Sequence, residues 1–380
     1  MPMNIVIAPD TFKDSLSAVD VSHAMADGAR RVYPDAVIKL CPMADGGEGS
    51  TQAVLAATKG DAQRVTVSGP LGEARSAQWA WLDHDTAFIE LAEASGLQQL
   101  SPQQRNPMIT SSYGTGQLML AALDAGAKRL VIALGGSATN DAGAGLLQAL
   151  GASLTDVAGH PLDAGGAALS SLQRLSLASL DARLGDVEIQ VAVDVDNPLT
   201  GPQGASHVFA PQKGATAADV LQLDQSLSHF ADVVADLSGH DHRHKPGCGA
   251  AGGAAFALHA VLNADIRSGF ALMAELVNLD AHLERADLVI TGEGRCDAQT
   301  LHGKTVFGVA TRAQRYGVPV LVLAGALGDG YQHLYEHGVM AVLSIIDGPM
   351  SVEQSCQQAP ELLRRCTESV LRCWRTASSD

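Results

Sequence analysis

Ala286-Asp287-Leu288-Val289-Ile290-Thr291-Gly292-Glu293-Gly294 is the stretch on which the fold turns. Its apolar run is too short for a helix, rich in branched residues, and stops at glycine and acid. Unbroken apolar character over a few residues marks a strand buried on both faces, as inside a parallel sheet. The rhythm repeats nearby: residues 318–323 end at Gly325, and residues 339–346 end at Asp347-Gly348. At the other end of the chain, Ile5-Val6-Ile7-Ala8 stops at Pro9-Asp10. Glycine and acid at the strand ends place a site at the C-terminal edge of such a sheet.

Helical patterns lie between these runs. Residues 17–32 put Val21, Ala24, Met25, Gly28 and Ala29 on one face, with Ser17 as a cap. Residues 36–40 are strand-like and residues 51–58 helical. The closing helix carries Leu362, Leu363, Cys366, Val370, Cys373 and Trp374 at helical spacing, which reads as core packing. The middle differs. Residues 64–90 alternate apolar and polar residues, with turn signals at Gly69-Pro70 and Leu71-Gly72, as antiparallel strands do. Residues 130–134 run into Gly135-Gly136 and a helix near 142–150, residues 189–193 end at Asp194, and 247–262 is a glycine-alanine run entering a helix. A chain of 380 residues is long for one core. The expected class is therefore α/β with two domains: a Rossmann-like parallel-sheet domain formed by both termini (1–66 and 280–380), and a second α/β domain inserted at 67–279.

A formal charge of −16 argues against nucleic acid or an anionic membrane as partner. No stretch approaches the roughly 20 apolar residues that span a bilayer. Residues 5–8 are too short for the apolar core of a secretory leader. The six cysteines lack CxxC spacing, so reduced thiols and a cytoplasmic location are expected.

Most phosphate-binding signatures are incomplete. Gly303-Lys304-Thr305 lacks the glycine five positions upstream, where Ala298 stands, so it is not a Walker A loop. Gly114-Thr115-Gly116 and Gly292-Glu293-Gly294 meet Met119 and Asp297 where GxGxxG needs its third glycine. What remains is a set of acidic and glycine-rich turns. Gly135-Gly136-Ser137-Ala138-Thr139-Asn140-Asp141 joins a strand to a helix. It is either an anion cradle of free N–H groups with the Ser137 and Thr139 hydroxyls, or a tight turn capped by Asn140 or Asp141. Asp194-Val195-Asp196-Asn197 is either a pair of carboxylates about 7 Å apart on one side of an extended chain, suited to Mg²⁺, or a turn. Lys13, after a strand, and Lys213, in a turn, are candidate anion ligands or solvated loop residues. His240-Asp241-His242-Arg243-His244 reads as a polar loop rather than a metal site.

Taken in order, IVIAPDTFKDSLSA (5–18), MADGGEGS (43–50), YGTGQL (113–118), GGSATNDAGAG (135–145), DVDNPLTG (194–201), FAPQKGA (209–215), GAAGG (249–253) and TGEGRCDAQTLHGK (291–304) resemble the type-1 glycerate kinase family. The resemblance implies ATP and Mg²⁺ as cofactors, two α/β domains with an interdomain cleft, and phosphorylation of D-glycerate on its 2-hydroxyl to 2-phosphoglycerate. On that footing Asp194, with Asp196, is expected to hold Mg²⁺. Lys13, Ser15, Lys213 and the turn Gly135, Gly136, Ser137, Thr139, Asn140, Asp141 are expected at anionic oxygens, with Gly46, Gly47 and Glu48 of the second motif alongside. Arg295, between Glu293 and Asp297, is expected to clamp a carboxylate, and Asp45 or Asp194 to take the proton from the attacking hydroxyl. The competing readings are a NAD-dependent hydroxy-acid dehydrogenase, which the missing third glycine opposes, and a non-enzymatic glycerate-binding regulator.

Overall fold

The computed structural model describes residues 2–44, 46–301 and 305–377; Asp45 and the Gly303-Lys304 pair lie outside them. In chain order the strands are β1 (Asn4–Ile7), β2 (Val37–Leu40), β3 (Asp61–Ser68), β4 (Ala74–Trp81), β5 (Thr86–Glu90), β6 (Arg129–Ala133), β7 (Ser153–Thr155), β8 (Arg174–Ser176), β9 (Glu188–Ala192), β10 (Asp265–Arg267), β11 (Leu288–Cys296), β12 (Val320–Leu327) and β13 (Val339–Ser344). The chain divides into two compact units, one of Met1–Asp45, Gln52–Lys59 and Phe270–Asp380, the other of Gly46–Thr51 and Gly60–Gly269.

In the first unit five strands pair in the order β13-β12-β11-β1-β2, all parallel. Counted along this unit alone the order is 2-1-3-4-5, a doubly wound sheet whose order reverses between β1 and β11. β11 is the central strand. That explains the unbroken apolar run, since Leu288, Val289 and Ile290 are each fully buried. The edge strands are less covered, with Val37 on β2 and Met340 on β13 exposed. The helix Ala18–Val32 starts where the Ser17 hydroxyl accepts the Asp20 N–H at 3.1 Å. It lies against the closing helix Val352–Ala377 so closely that a Cβ on Gly28 would stand 2.4 Å from the Arg364 carbonyl oxygen. Leu362, Leu363 and Leu371 of the closing helix join the core. Cys373, expected in that stripe, is exposed instead. The buried line runs Leu363, Thr367, Leu371 at i, i+4, i+8, one turn-face away from Cys373.

The second unit holds a mixed sheet in the order β10-β9-β6-β5-β4-β3. Strands β5, β6, β9 and β10 are parallel, and β4 and β3 extend the sheet antiparallel. All eight residues of β3 pair with β4, from Asp61↔Trp81 to Ser68↔Ala74. A strand enters a sheet whole because its N–H and C=O groups need partners, so the chain crosses between units near 59/60 rather than 66/67. The return falls at 269/270 rather than 279/280. The helix expected from 142 starts only at Ala144, because Ala142 (φ 52°) and Gly143 (φ 74°) are left-handed.

Candidate functional site

In a parallel sheet the C-terminal ends of neighbouring strands line one edge, where open α/β sheets bind ligands. In the second unit that edge is built from Glu90 at the end of β5, Gly135-Gly136 after β6 and Asp194 after β9. The segment Gly46–Thr51 crosses all three. A Cβ on Gly46 would sit 3.2 Å from the Ala192 Cβ of β9. The Gly135 N–H donates to the Gly46 carbonyl at 2.9 Å, and the Gly49 and Thr51 N–H groups each donate to the Glu90 carboxylate at 3.0 Å. Glycine is required at Gly135, since a Cβ there would lie 2.4 Å from the Gly47 Cα. Gly46 and Gly47 are thus brought against Gly135, while Glu48 points out and is exposed.

The turn after Gly136 is sewn into the protein. The Ala138 N–H donates to Ser95 O at 2.9 Å, and Gly136 O accepts from the Leu97 N–H at 2.7 Å. Asp141 is 1% exposed. Its carboxylate accepts from the Ser112 N–H and hydroxyl, both at 2.8 Å, and from the Gly143 and Gly145 N–H groups. Burial pushes its carboxyl pKa up against these bonds. Asp141 therefore ties the turn to Ser112 and the following helix start, the capping alternative noted above. Asn140 donates to Ser206 Oγ at 2.9 Å. Its Oδ1 and the Thr139 Oγ1 are buried without a partner among the described residues, and unmade bonds of this kind in a native core call for a reason beyond packing.

Lys213 is the second buried ion of this turn, at 2% exposure. Its ammonium donates to Ser137 Oγ at 2.8 Å and to the Thr139 carbonyl at 2.7 Å. Burial lowers its pKa from 10.5 to about 7, with the Asp141 charge opposing. Between those two pH values the unfolded chain holds a proton at this lysine that the folded chain has released. Stability therefore rises with pH across this window, by about 1.4 kcal/mol per pH unit at most. Urea denaturation at pH 7 to 10 should show this slope in the wild type and its loss in Lys213→Met; equal slopes would show that Lys213 does not titrate there.

Asp194 and Asp196 are both exposed in the coil that follows β9. Asp194 Oδ1 accepts the Gly269 N–H at 2.8 Å and the Ser268 hydroxyl at 3.3 Å, which orients the carboxylate. Among the described residues no group of three His, Cys, Asp or Glu side chains could hold a metal ion. In the loop His240–His244, Arg243 pairs with Asp241 and Asp232.

The first unit gathers its own candidates at the ends of β1 and β11, the point of order reversal. Lys13 is exposed. Ser15 Oγ donates to the Cys356 carbonyl at 2.9 Å, a structural bond. Glu293 is buried and accepts from the Thr300 hydroxyl at 2.6 Å. Arg295 is 66% exposed, with Nε on Asp297 Oδ2 at 3.0 Å. Asp10, not singled out from sequence, accepts the Thr305 hydroxyl at 2.6 Å and the Thr11 N–H at 2.6 Å. Glu90 was missed too, although it ends the apolar run Ala87-Phe88-Ile89 as acids end the other strands. Reading that stretch only as alternating hid it.

No helix among the described residues is long and apolar enough to cross a membrane. The glycerate kinase family model matches residues 5–375. The chain is 47% identical over 369 residues to a glycerate kinase of Bacillus subtilis strain 168, covering 97% of each chain. It is 45% identical over 369 residues to a glycerate 2-kinase of Escherichia coli K12, again 97% of each. A crystal structure of a candidate glycerate kinase 2 from Salmonella typhimurium LT2 matches with a TM-score of 0.90 at 45% identity over the full length of both chains. With the same α/β architecture, the same length and nearly half of the residues in common, this chain belongs to the glycerate kinase family.

Proposed function

We propose that this protein transfers the terminal phosphoryl group of ATP to the 2-hydroxyl of D-glycerate, giving 2-phosphoglycerate and ADP. The observation that carries the reading is end-to-end likeness to proteins named glycerate kinase, one of them a glycerate 2-kinase. Phosphoryl transfer asks a protein for positioning and charge neutralisation more than for covalent chemistry. The rigid glycine-lined edge over β5, β6 and β9 suits that demand.

Two exposed carboxylates suit Mg²⁺, which takes one or two carboxylates and fills its shell with phosphate oxygens and water. Asp194 and Asp196 would hold it, and the ion when bound neutralises phosphate charge. Asp194, oriented by the Gly269 N–H, or else Asp45, takes the hydroxyl proton. Lys13 and Arg295 supply exposed positive charge to anionic substrates in a chain of net charge −16. The Asp297 contact on Nε steadies the Arg295 guanidinium. The buried Asp141 and Lys213 serve by holding the shape of the Gly135–Asp141 turn, whose backbone meets Gly46-Gly47.

Arg295→Ala should raise the KM for glycerate by about 10- to 100-fold with kcat nearly unchanged, the mark of lost uniform binding. An unchanged KM removes the clamp. The functional test is phosphorus NMR of the protein with D-glycerate, ATP and Mg²⁺, and an EDTA control. A metal-dependent 2-phosphoglycerate signal supports donor, acceptor and position together. A 3-phosphoglycerate signal corrects the position, and untouched ATP overturns the reading.

A further inference from the structure

Glu90 is the last residue of β5, 2% exposed, and among the described residues no basic side chain pairs with it. Its two oxygens are used separately: Oε1 accepts the Gly49 N–H and Oε2 the Thr51 N–H, each at 3.0 Å. Those N–H groups belong to the start of the helix Ser50–Ala57, where an unoccupied terminus attracts anions. The chain's own carboxylate takes that position. Gly49 itself is left-handed (φ +86°), and nothing lies within 4 Å of where its Cβ would be. The turn is closed locally by the Ser50 N–H and hydroxyl on the Gly47 carbonyl, and the carboxylate from β5 ties it to the sheet. A carboxylate in this place is costly, because burial raises its pKa to about 7 and Glu93 adds like charge. Holding a backbone segment could be done by a neutral acceptor, but only a carboxylate offers two acceptor oxygens to two N–H groups and no donor.

We propose that Glu90 is a positioning residue for phosphoryl transfer: it fixes the Gly46–Thr51 segment across the ends of β5, β6 and β9, and with it the Gly46-Gly47 backbone and Glu48, without itself touching substrate. This rests on the kinase reading above, since it assigns the segment a task in that reaction.

The test uses Glu90→Gln and Glu90→Asp in the full chain. Gln keeps the size but turns an NH₂ toward one of the two N–H donors. Asp keeps the charge but is one methylene short. Three quantities are read: kcat and KM with glycerate and ATP, melting temperature, and amide hydrogen exchange at Gly49 and Thr51. For Gln the expected result is a kcat drop of about 10- to 100-fold, the scale of a misplacement near 1 Å. The melting temperature should fall by only a few degrees while the two amides exchange at least about tenfold faster. Asp should recover part of kcat. A kcat within about twofold of wild type despite faster exchange would make Glu90 structural only and overturn the inference. Unchanged exchange would overturn the clamp itself. If Gln does not fold, Asp carries the same readouts. A wild type that leaves glycerate untouched overturns the kinase reading; exchange, which needs no turnover, tells that failure apart from failure of the clamp.

Discussion

Asp194→Asn lowers turnover by about 10²- to 10³-fold, the range for removing one preorganised charge at a transition state, and leaves the fold intact. Asp194 is exposed, so no core volume changes. Asn keeps an oxygen where Oδ1 accepts the Gly269 N–H and the Ser268 hydroxyl, while the negative charge is removed. The melting temperature should stay within a few degrees, as is usual for a surface change that keeps its hydrogen bonds. Added Mg²⁺ separates the two tasks proposed for this residue. Partial recovery of kcat at high Mg²⁺ fits a metal ligand, whereas a lost proton acceptor is not restored by metal. A kcat near wild type, with the same Mg²⁺ dependence, removes Asp194 from the mechanism.

The largest stability effect is expected at Gly252→Ala, because two irregular backbones meet there. Ala251, Gly252 and Gly253 are all left-handed at the start of the helix Ala250–Ala260. The Gly252 carbonyl accepts the N–H of Ala142, itself at φ 52°. A Cβ on Gly252 would stand 2.1 Å from the Thr139 carbonyl oxygen and 2.5 Å from the Asn140 Cα. Both are backbone atoms of the turn that Lys213 and Asp141 fix, so neither can yield cheaply. Overpacking and the left-handed penalty together cost roughly 3–5 kcal/mol, which lowers the melting temperature by ~10 °C for a unit of this size. Gly159→Ala is the control. It has a similar φ of +83° with nothing within 4 Å of the new Cβ, and should cost about 1 kcal/mol. Equal losses at the two sites would show that conformation alone, and not contact between the segments, makes Gly252 necessary.

Much of the architecture was legible because burial leaves a local trace. The run at β11 is apolar on both faces since it is the central strand of five. The alternation of residues 64–90 was read as antiparallel. Strands β3, β4 and β5 do pair antiparallel, but β5 is buried along its whole length and on its other side pairs parallel with β6. Ser17 before a 3.6-residue periodicity located a helix start to the residue. Local pattern failed where two neighbours on one helix looked equally apolar. Cys373 and Leu371 differ by two residues, and only the packing against the Ala18–Val32 helix decides which is buried.

What the sequence determined by itself was the kind of element along much of the two ends of the chain, the acids and glycines at strand ends, and the family. Periodicity and capping act over a few residues, and eight ordered motifs carry the kinship. Only the tertiary structure decided the strand order 2-1-3-4-5 in the first unit, and which chemistry each acid or cation is free to do. Glu90 reaches N–H groups about forty residues away, and Lys213 reaches Ser137 across 76 positions. Asp141 and Asp194 are alike on paper. Folding buries the first among four hydrogen bonds from the protein and leaves the second at the surface, and that difference in solvation separates a residue that holds the turn from one able to meet a metal ion.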